Sequence, residues 1–168
     1  MNFFPGKEEK KKEQLVEETI LKKYNSYYRL AYSYVHSESD AEDIVQNTAY
    51  KALRACRELR QPEYVETWLY RILLNEIFRV LKQPENFSYE EFVEKTGNEG
   101  ESVEDVYEDI DLKRVIDSLP EKDKMVVELR FFEDKKLEDI AFVLEENVNT
   151  VKSRLYRSLK KMRIMLEN

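Results

Sequence analysis

The centre of the chain, residues 84–111, carries eleven acidic side chains and one lysine, and this run decides how the rest can fold. It holds Gly97 and Gly100, two of only three glycines, and no sustained helical stripe, so it reads as an acidic linker between two folded pieces. Phe87, Tyr89, Phe92, Val93, Val106 and Tyr107 are more apolar than a plain tether needs, which leaves a docked segment as the other reading. The flanking pieces, residues 15–83 and 112–168, are each the size of one small domain, with residues 1–14 as an N-terminal arm. The formal charge of −7 lies entirely in the linker, which contributes −10 against +1 before it and +2 after it. With 42% apolar and 38% charged residues, the chain can fill a core, and global disorder is excluded.

Apolar residues recur at helical spacing in both pieces. Val16, Ile20, Tyr24, Tyr27 or Tyr28, Ala31 and Tyr34 mark a first helix, and Ile44, Val45, Ala49, Ala52, Leu53 and Cys56 mark a second. Ser39 and Glu42 have the spacing of a capping box at the start of that second helix. Pro62 interrupts the chain, after which Trp68, Ile72, Asn75, Phe78 and Leu81 predict a third helix stopping before Pro84. Beyond the linker, Leu112 to Leu119 predict a short helix ended by Pro120, and Val126, Val127, Leu129, Phe131 and Phe132 supply the apolar side of the next. Leu137, Ile140, Ala141 and Leu144 predict a compact helix, and Val148, Val151, Leu155, Leu159, Met162 and Leu166 a long terminal one. No alternating strand pattern intervenes, so the fold class is all-α in two small helical domains.

Composition removes most enzyme classes. Gly6, Gly97 and Gly100 cannot build a Gly-rich phosphate loop, and one His (His36) with one Cys (Cys56) makes neither a zinc site nor a Cys–His couple. No pattern supports an all-carboxylate metal site, and an enzyme using carboxylates such as Glu128 lacks a nucleophile or cofactor loop. A lone cysteine excludes an internal disulfide framework, as a reducing cytosol would require. The N-terminal sequence has neither a signal peptide nor an anchor, so a cytoplasmic location is expected.

Residues 136–157 place a short helix, a tight connection and a basic helix in the order of a helix-turn-helix. With Val151, Leu155 and Leu159 inward, the outward set is Thr150, Lys152, Ser153, Arg154 and Arg157, at the end of the helix that enters a major groove. Arginine reads guanine bidentately and lysine mostly meets phosphate. An ordinary solvated basic face is the plain alternative; spacing and clustering together outweigh it.

The string Thr150-Val151-Lys152-Ser153-Arg154-Leu155-Tyr156-Arg157, with Leu119-Pro120 and Leu137-Glu138-Asp139-Ile140-Ala141 upstream, resembles region four of the extracytoplasmic-function sigma factors of bacterial RNA polymerase. Asp40-Ala41-Glu42-Asp43-Ile44-Val45-Gln46 is similar to region 2.2 of the same family, and Trp68-Leu69-Tyr70-Arg71-Ile72 with Asn75 to regions 2.3 and 2.4. The resemblance implies an alternative initiation subunit with no catalytic residue, no cofactor and no small-molecule substrate. Its implied partners are bacterial core RNA polymerase, promoter DNA and an anti-sigma factor, often membrane-bound.

Asp40, Glu42, Asp43 and Gln46 are then the expected core-binding face, since complementary charge on a basic clamp steers the encounter. Arg71, Asn75 and Arg79, four apart on one helix face, are expected at the minus-ten element, with Tyr64 in the preceding loop offering a ring for an unstacked base. Trp68 is expected in the core rather than as a base wedge. Thr150, Lys152, Ser153, Arg154 and Arg157 are expected at the minus-thirty-five element. Glu145 stands where the family commonly has a glycine, so the turn must either adopt a left-handed conformation or turn differently. A free-standing helix-turn-helix regulator explains the basic helix but leaves residues 40–46 and 68–75 unexplained.

Overall fold

The computed structural model describes residues 4–83 and 104–168. The described residues form helices joined by turns, with no strand among them. The chain divides between Gln83 and Pro84 into two compact units.

The first unit packs three helices against one another: α1 (Lys7–Val35), α2 (Glu38–Arg54) and α3 (Val65–Leu81). Helix α1 starts well before the expected apolar stripe, taking in most of the segment read as an arm. Residues 7–14 are all Lys, Glu or Gln, which are strong helix formers, and Glu8 and Glu9 suit the positive end of the helix dipole. Glu9 also meets Arg57 at 3.0 Å, tying this first turn to the segment after α2. His36 ends α1 in the left-handed conformation, φ 53°. Ser37 then caps α2 by accepting the Asp40 N–H at 3.3 Å. The cap therefore lies two residues before the expected Ser39, which sits in the first turn, because His36 has already reversed the chain.

The core of this unit is aromatic as well as aliphatic. Tyr27 and Tyr70 meet edge to face at 5.1 Å between α1 and α3, and Ile44, Leu69, Leu73 and Ile77 are fully buried around them. Each such buried side chain contributes about 1.5–3 kcal/mol.

The second unit holds α4 (Glu104–Asp117), α5 (Glu121–Val127), α6 (Leu137–Leu144) and α7 (Val148–Glu167). Helix α4 begins inside the segment read as linker, since neither Gly nor Pro occurs between Gly100 and Pro120 to stop it. Phe87, Tyr89, Phe92 and Val93, which prompted the docked-segment reading, lie outside the described residues. Val115, Ile116, Leu119, Val127 and Met162 form one buried cluster. After α5 the backbone widens into a π turn, Glu128–Phe132, closed by the Glu133 N–H on the Glu128 carbonyl at 3.1 Å. This shifts the helical register, so Leu129 is buried while Phe131 and Phe132, expected on the apolar side, face outward.

Candidate nucleic-acid interface

At the end of α2, helix α3 crosses close enough to leave an open cavity of about 420 Å³, lined by Lys51, Ala55, Glu58, Trp68, Arg71, Ile72, Asn75 and Glu76. Arg71 and Asn75 thus come together as the spacing predicts. Arg79 does not line the cavity; it donates to Glu76 at 2.9 and 3.2 Å. Trp68, expected in the core, is only half-buried and forms part of the wall, while Tyr70 is the ring that fills the core. Tyr64 is exposed at the end of a short 3-10 turn, Pro62–Tyr64, and is not among the lining residues.

Glu76 organises this wall. It is only 2% exposed and accepts from both Lys51 of α2 and Arg79 of α3. Burial alone would push its carboxyl up, but the hydrogen bonds from Lys51 and Arg79 outweigh that and hold it below the usual carboxylate range. Glu76 is not among the residues expected at the site, although a carboxylate three residues after Leu73 and one before Ile77 stands on the buried side of the helix.

On α2, Glu42, Asp43 and Gln46 are exposed and Asp40 is half-buried beside its cap. Their face adjoins a ladder of rings on α1. Tyr24 stacks on Tyr28 at 6.4 Å and Tyr28 on Tyr32 at 6.1 Å, each pair 16° from parallel. The Tyr28 phenol is raised above its ordinary value, first by desolvation and then by the Glu38 and Glu42 charges.

In the second unit, α6 ends at Glu145 in the left-handed region, φ 56° and ψ 38°. The chain therefore takes the conformation a glycine would take there, with a glutamate. Asn147 caps α7, accepting the N–H groups of Asn149 at 2.8 Å and Thr150 at 3.2 Å. Val151, Leu155 and Met162 point inward, and Thr150, Lys152, Ser153 and Arg157 are exposed.

Arg154 is not on the exposed face where the helical wheel places it. Its Nε and Nη2 donate to Glu146 at 2.7 and 2.8 Å and its Nη1 to Asp123 at 2.9 Å, leaving the side chain 22% exposed. Residue 154 falls at the edge of the α7 stripe, and two carboxylates outside that helix draw its guanidinium inward. Arg157 donates from Nη2 to both oxygens of Asp123, at 3.0 and 3.1 Å, yet stays 62% exposed. Lys122 adds a third cation, 3.2 Å from Glu146. The hydrogen bonds from Arg154, with smaller help from Lys122, hold the Glu146 carboxyl below its usual value against burial. Tyr156, at 67% exposure, stands between the basic residues of the outer face. Tyr156 is not among the residues that charge and spacing single out; its signal in the sequence is a tyrosine flanking an inward leucine.

Residues 13–86 match the sigma-70 region 2 family, and residues 109–162 match sigma-70, region 4. The RNA polymerase sigma factor SigV of Bacillus subtilis (strain 168) is 44% identical over 142 residues, covering 83% of this chain and 84% of that protein. The chain belongs to the sigma-70 family, in its extracytoplasmic-function group. An ECF RNA polymerase sigma-E factor of Haemophilus influenzae is 32% identical over 146 residues, covering 79% of this sigma factor and 75% of that one. The fold is that of the sigma factor RpoE in its co-crystal structure with the anti-sigma factor NepR from Bartonella quintana, with a TM-score of 0.67 at 20% identity over 90% of this chain and 96% of that one. As an alternative sigma factor, the protein directs RNA polymerase to promoters, and the free-standing regulator is not favoured. The region 2 match contains both the acidic face of α2 and the α3 cavity, and the region 4 match contains the helix-turn-helix. Among the described residues, no helix is long and apolar enough to cross a membrane.

Proposed function

We propose that the two units of this sigma factor divide promoter recognition and polymerase docking as follows. Asp40, Glu42, Asp43 and Gln46 meet the basic clamp of core polymerase, with the neighbouring tyrosine ladder at the edge of the contact. The cavity between α2 and α3 takes the minus-ten element: Arg71 and Asn75 offer a cation and an amide to a base edge, and Trp68 offers a ring face. Tyr64 stacks from the rim, and Arg79 meets backbone phosphate beside its bond to Glu76. Thr150, Lys152, Ser153, Tyr156 and Arg157 face the minus-thirty-five duplex. No bond is made or broken, and the protein works in the cytoplasm.

The observation that carries this reading is the cavity, where an aromatic ring, an arginine and an amide share one opening. Run-off transcription with purified core polymerase tests it. Addition of the protein should confer initiation on a specific promoter, Asn75→Ala should suppress promoter opening, and joint Glu42→Lys and Asp43→Lys should abolish retention of core in a pull-down. Unchanged retention would remove the acidic face from the core interface.

Regulation by an anti-sigma partner fits the same surfaces. RpoE of Bartonella quintana is described in complex with the anti-sigma factor NepR, and CnrH in complex with the cytosolic domain of CnrY. A comparable partner here, often membrane-bound in this family, would cover the polymerase-facing and DNA-facing residues together. Purification from the native host should yield a stoichiometric companion that is lost on envelope stress.

A further inference from the structure

We propose that Arg154 is a positioning residue of the minus-thirty-five site, acting through Glu146 and Asp123 to set the recognition helix and to aim Arg157, rather than a reader of bases. The inference rests on the proposed minus-thirty-five role of α7. A guanidinium has five donors in a fixed fork, and three of the Arg154 nitrogens are already engaged: two on Glu146 and one on Asp123. Glu146 lies in the turn itself, one residue after the left-handed Glu145, and Asp123 lies in α5. One side chain therefore joins the recognition helix to the turn before it and to the helix behind it. Both carboxylates are shielded, at 13% and 5% exposure, so these charge-assisted bonds work at reduced dielectric and hold geometry well.

Asp123 carries the effect onward. It accepts from Arg154 and from Arg157 at once, and the two arginines are one helical turn apart on α7. Arg157 spends one nitrogen on Asp123 and keeps the rest of its exposed fork for DNA. Bidentate reading of guanine needs a fork held in orientation, and Asp123 holds it. Arg154 in turn fixes Asp123, so base preference belongs to Arg157 and the outer residues.

The test uses holoenzyme assembled from core polymerase and the full chain, with competition among promoter duplexes varied at each minus-thirty-five position. Arg154→Ala should weaken every duplex by roughly tenfold and soften preference only at the position that Arg157 reads. Arg154→Lys, which keeps the charge but loses the fork, should recover only a small part. Glu146→Gln should reproduce much of the loss, and Glu146→Gln with Arg154→Ala should lose no more than Arg154→Ala alone. Arg157→Ala should flatten the preference at one position. The ranking is a ratio and does not depend on how much of a variant is folded. Flattening of preference by Arg154→Ala at a position that Arg157→Ala leaves intact, or additive losses in the double variant, would overturn the proposal. If neither Arg157→Ala nor Lys152→Ala moves affinity or ranking, the minus-thirty-five role of α7 itself fails, and positioning fails with it.

Discussion

Two carboxylates of the second unit oppose each other in their response to pH. Burial first, and then the Asp117 and Glu133 charges, push the half-buried Glu128 up to about 7, against the pull of Lys124 and Lys113. A raised folded value means that the folded state holds a proton the unfolded state releases near 4.5. Stability from Glu128 is thus full below about 4.5 and is lost as pH rises toward about 7. Glu128→Gln should leave stability unchanged at pH 4 and raise it by about 1–2 kcal/mol at pH 8, as read by urea unfolding at the two pH values. Glu146 has the reverse sign: its folded value is lowered, so its contribution is present at neutral pH and is lost as pH falls through the acid range. At Glu145 the issue is backbone. A non-glycine residue in the left-handed region is strained, so Glu145→Gly should stabilise by about 0.5–1 kcal/mol in thermal unfolding.

At the scale of elements, ends and crossings matter more than interiors. The recognition helix starts on a single side chain, Asn147, which satisfies two N–H groups that would otherwise face only water. Asn147→Ala should cost about 1 kcal/mol, and amide exchange should rise first at Asn149 and Thr150. Between α2 and α3 the corresponding device is Glu76, whose partners Lys51 and Arg79 are about half exposed, at 51% and 45%. Because both cations can return to water, Glu76→Gln should cost only about 1–2 kcal/mol. Its larger expected effect is on promoter opening, since Lys51 and Glu76 shape the cavity wall; permanganate footprinting of the minus-ten region would register it.

Over the whole molecule, charge is segregated while each unit carries its own core. Residues 1–83 should therefore fold alone, with a cooperative melt and the helicity of α1 to α3. The eleven acidic residues between 84 and 111 should repel phosphate when polymerase is absent. A fragment beginning at Glu104, which drops six of the eleven, should bind a minus-thirty-five duplex more tightly than the full chain in fluorescence anisotropy. That advantage should shrink as salt is raised, because screening acts on both the repulsion and the binding. Equal affinities at low salt would remove the linker from control of DNA binding.

The helical class, the apolar stripes of α1 and α2 and the order of the helix-turn-helix were set by the sequence alone, whereas the buried face of α3 runs through Leu69, Leu73 and Ile77 rather than through Trp68, Ile72 and Phe78. The first three depend on contacts three or four residues apart and on where prolines interrupt them, and both are local. For the same reason Arg71 and Asn75 could be placed on one side of α3, and Asn147 at the start of α7, before any tertiary contact was known. What tertiary structure alone decided is which charges are held by one another. Arg154 meets Asp123 across 31 positions of sequence, and Glu76 meets Lys51 across 25. Such pairings are chosen by proximity in space and strengthened by exclusion of water, neither of which a helical wheel contains. The π turn that expels Phe131 and Phe132, and the cavity that leaves Trp68 half-buried, belong to the same category. Each depends on how neighbouring helices close around a residue whose own local pattern is equally compatible with burial.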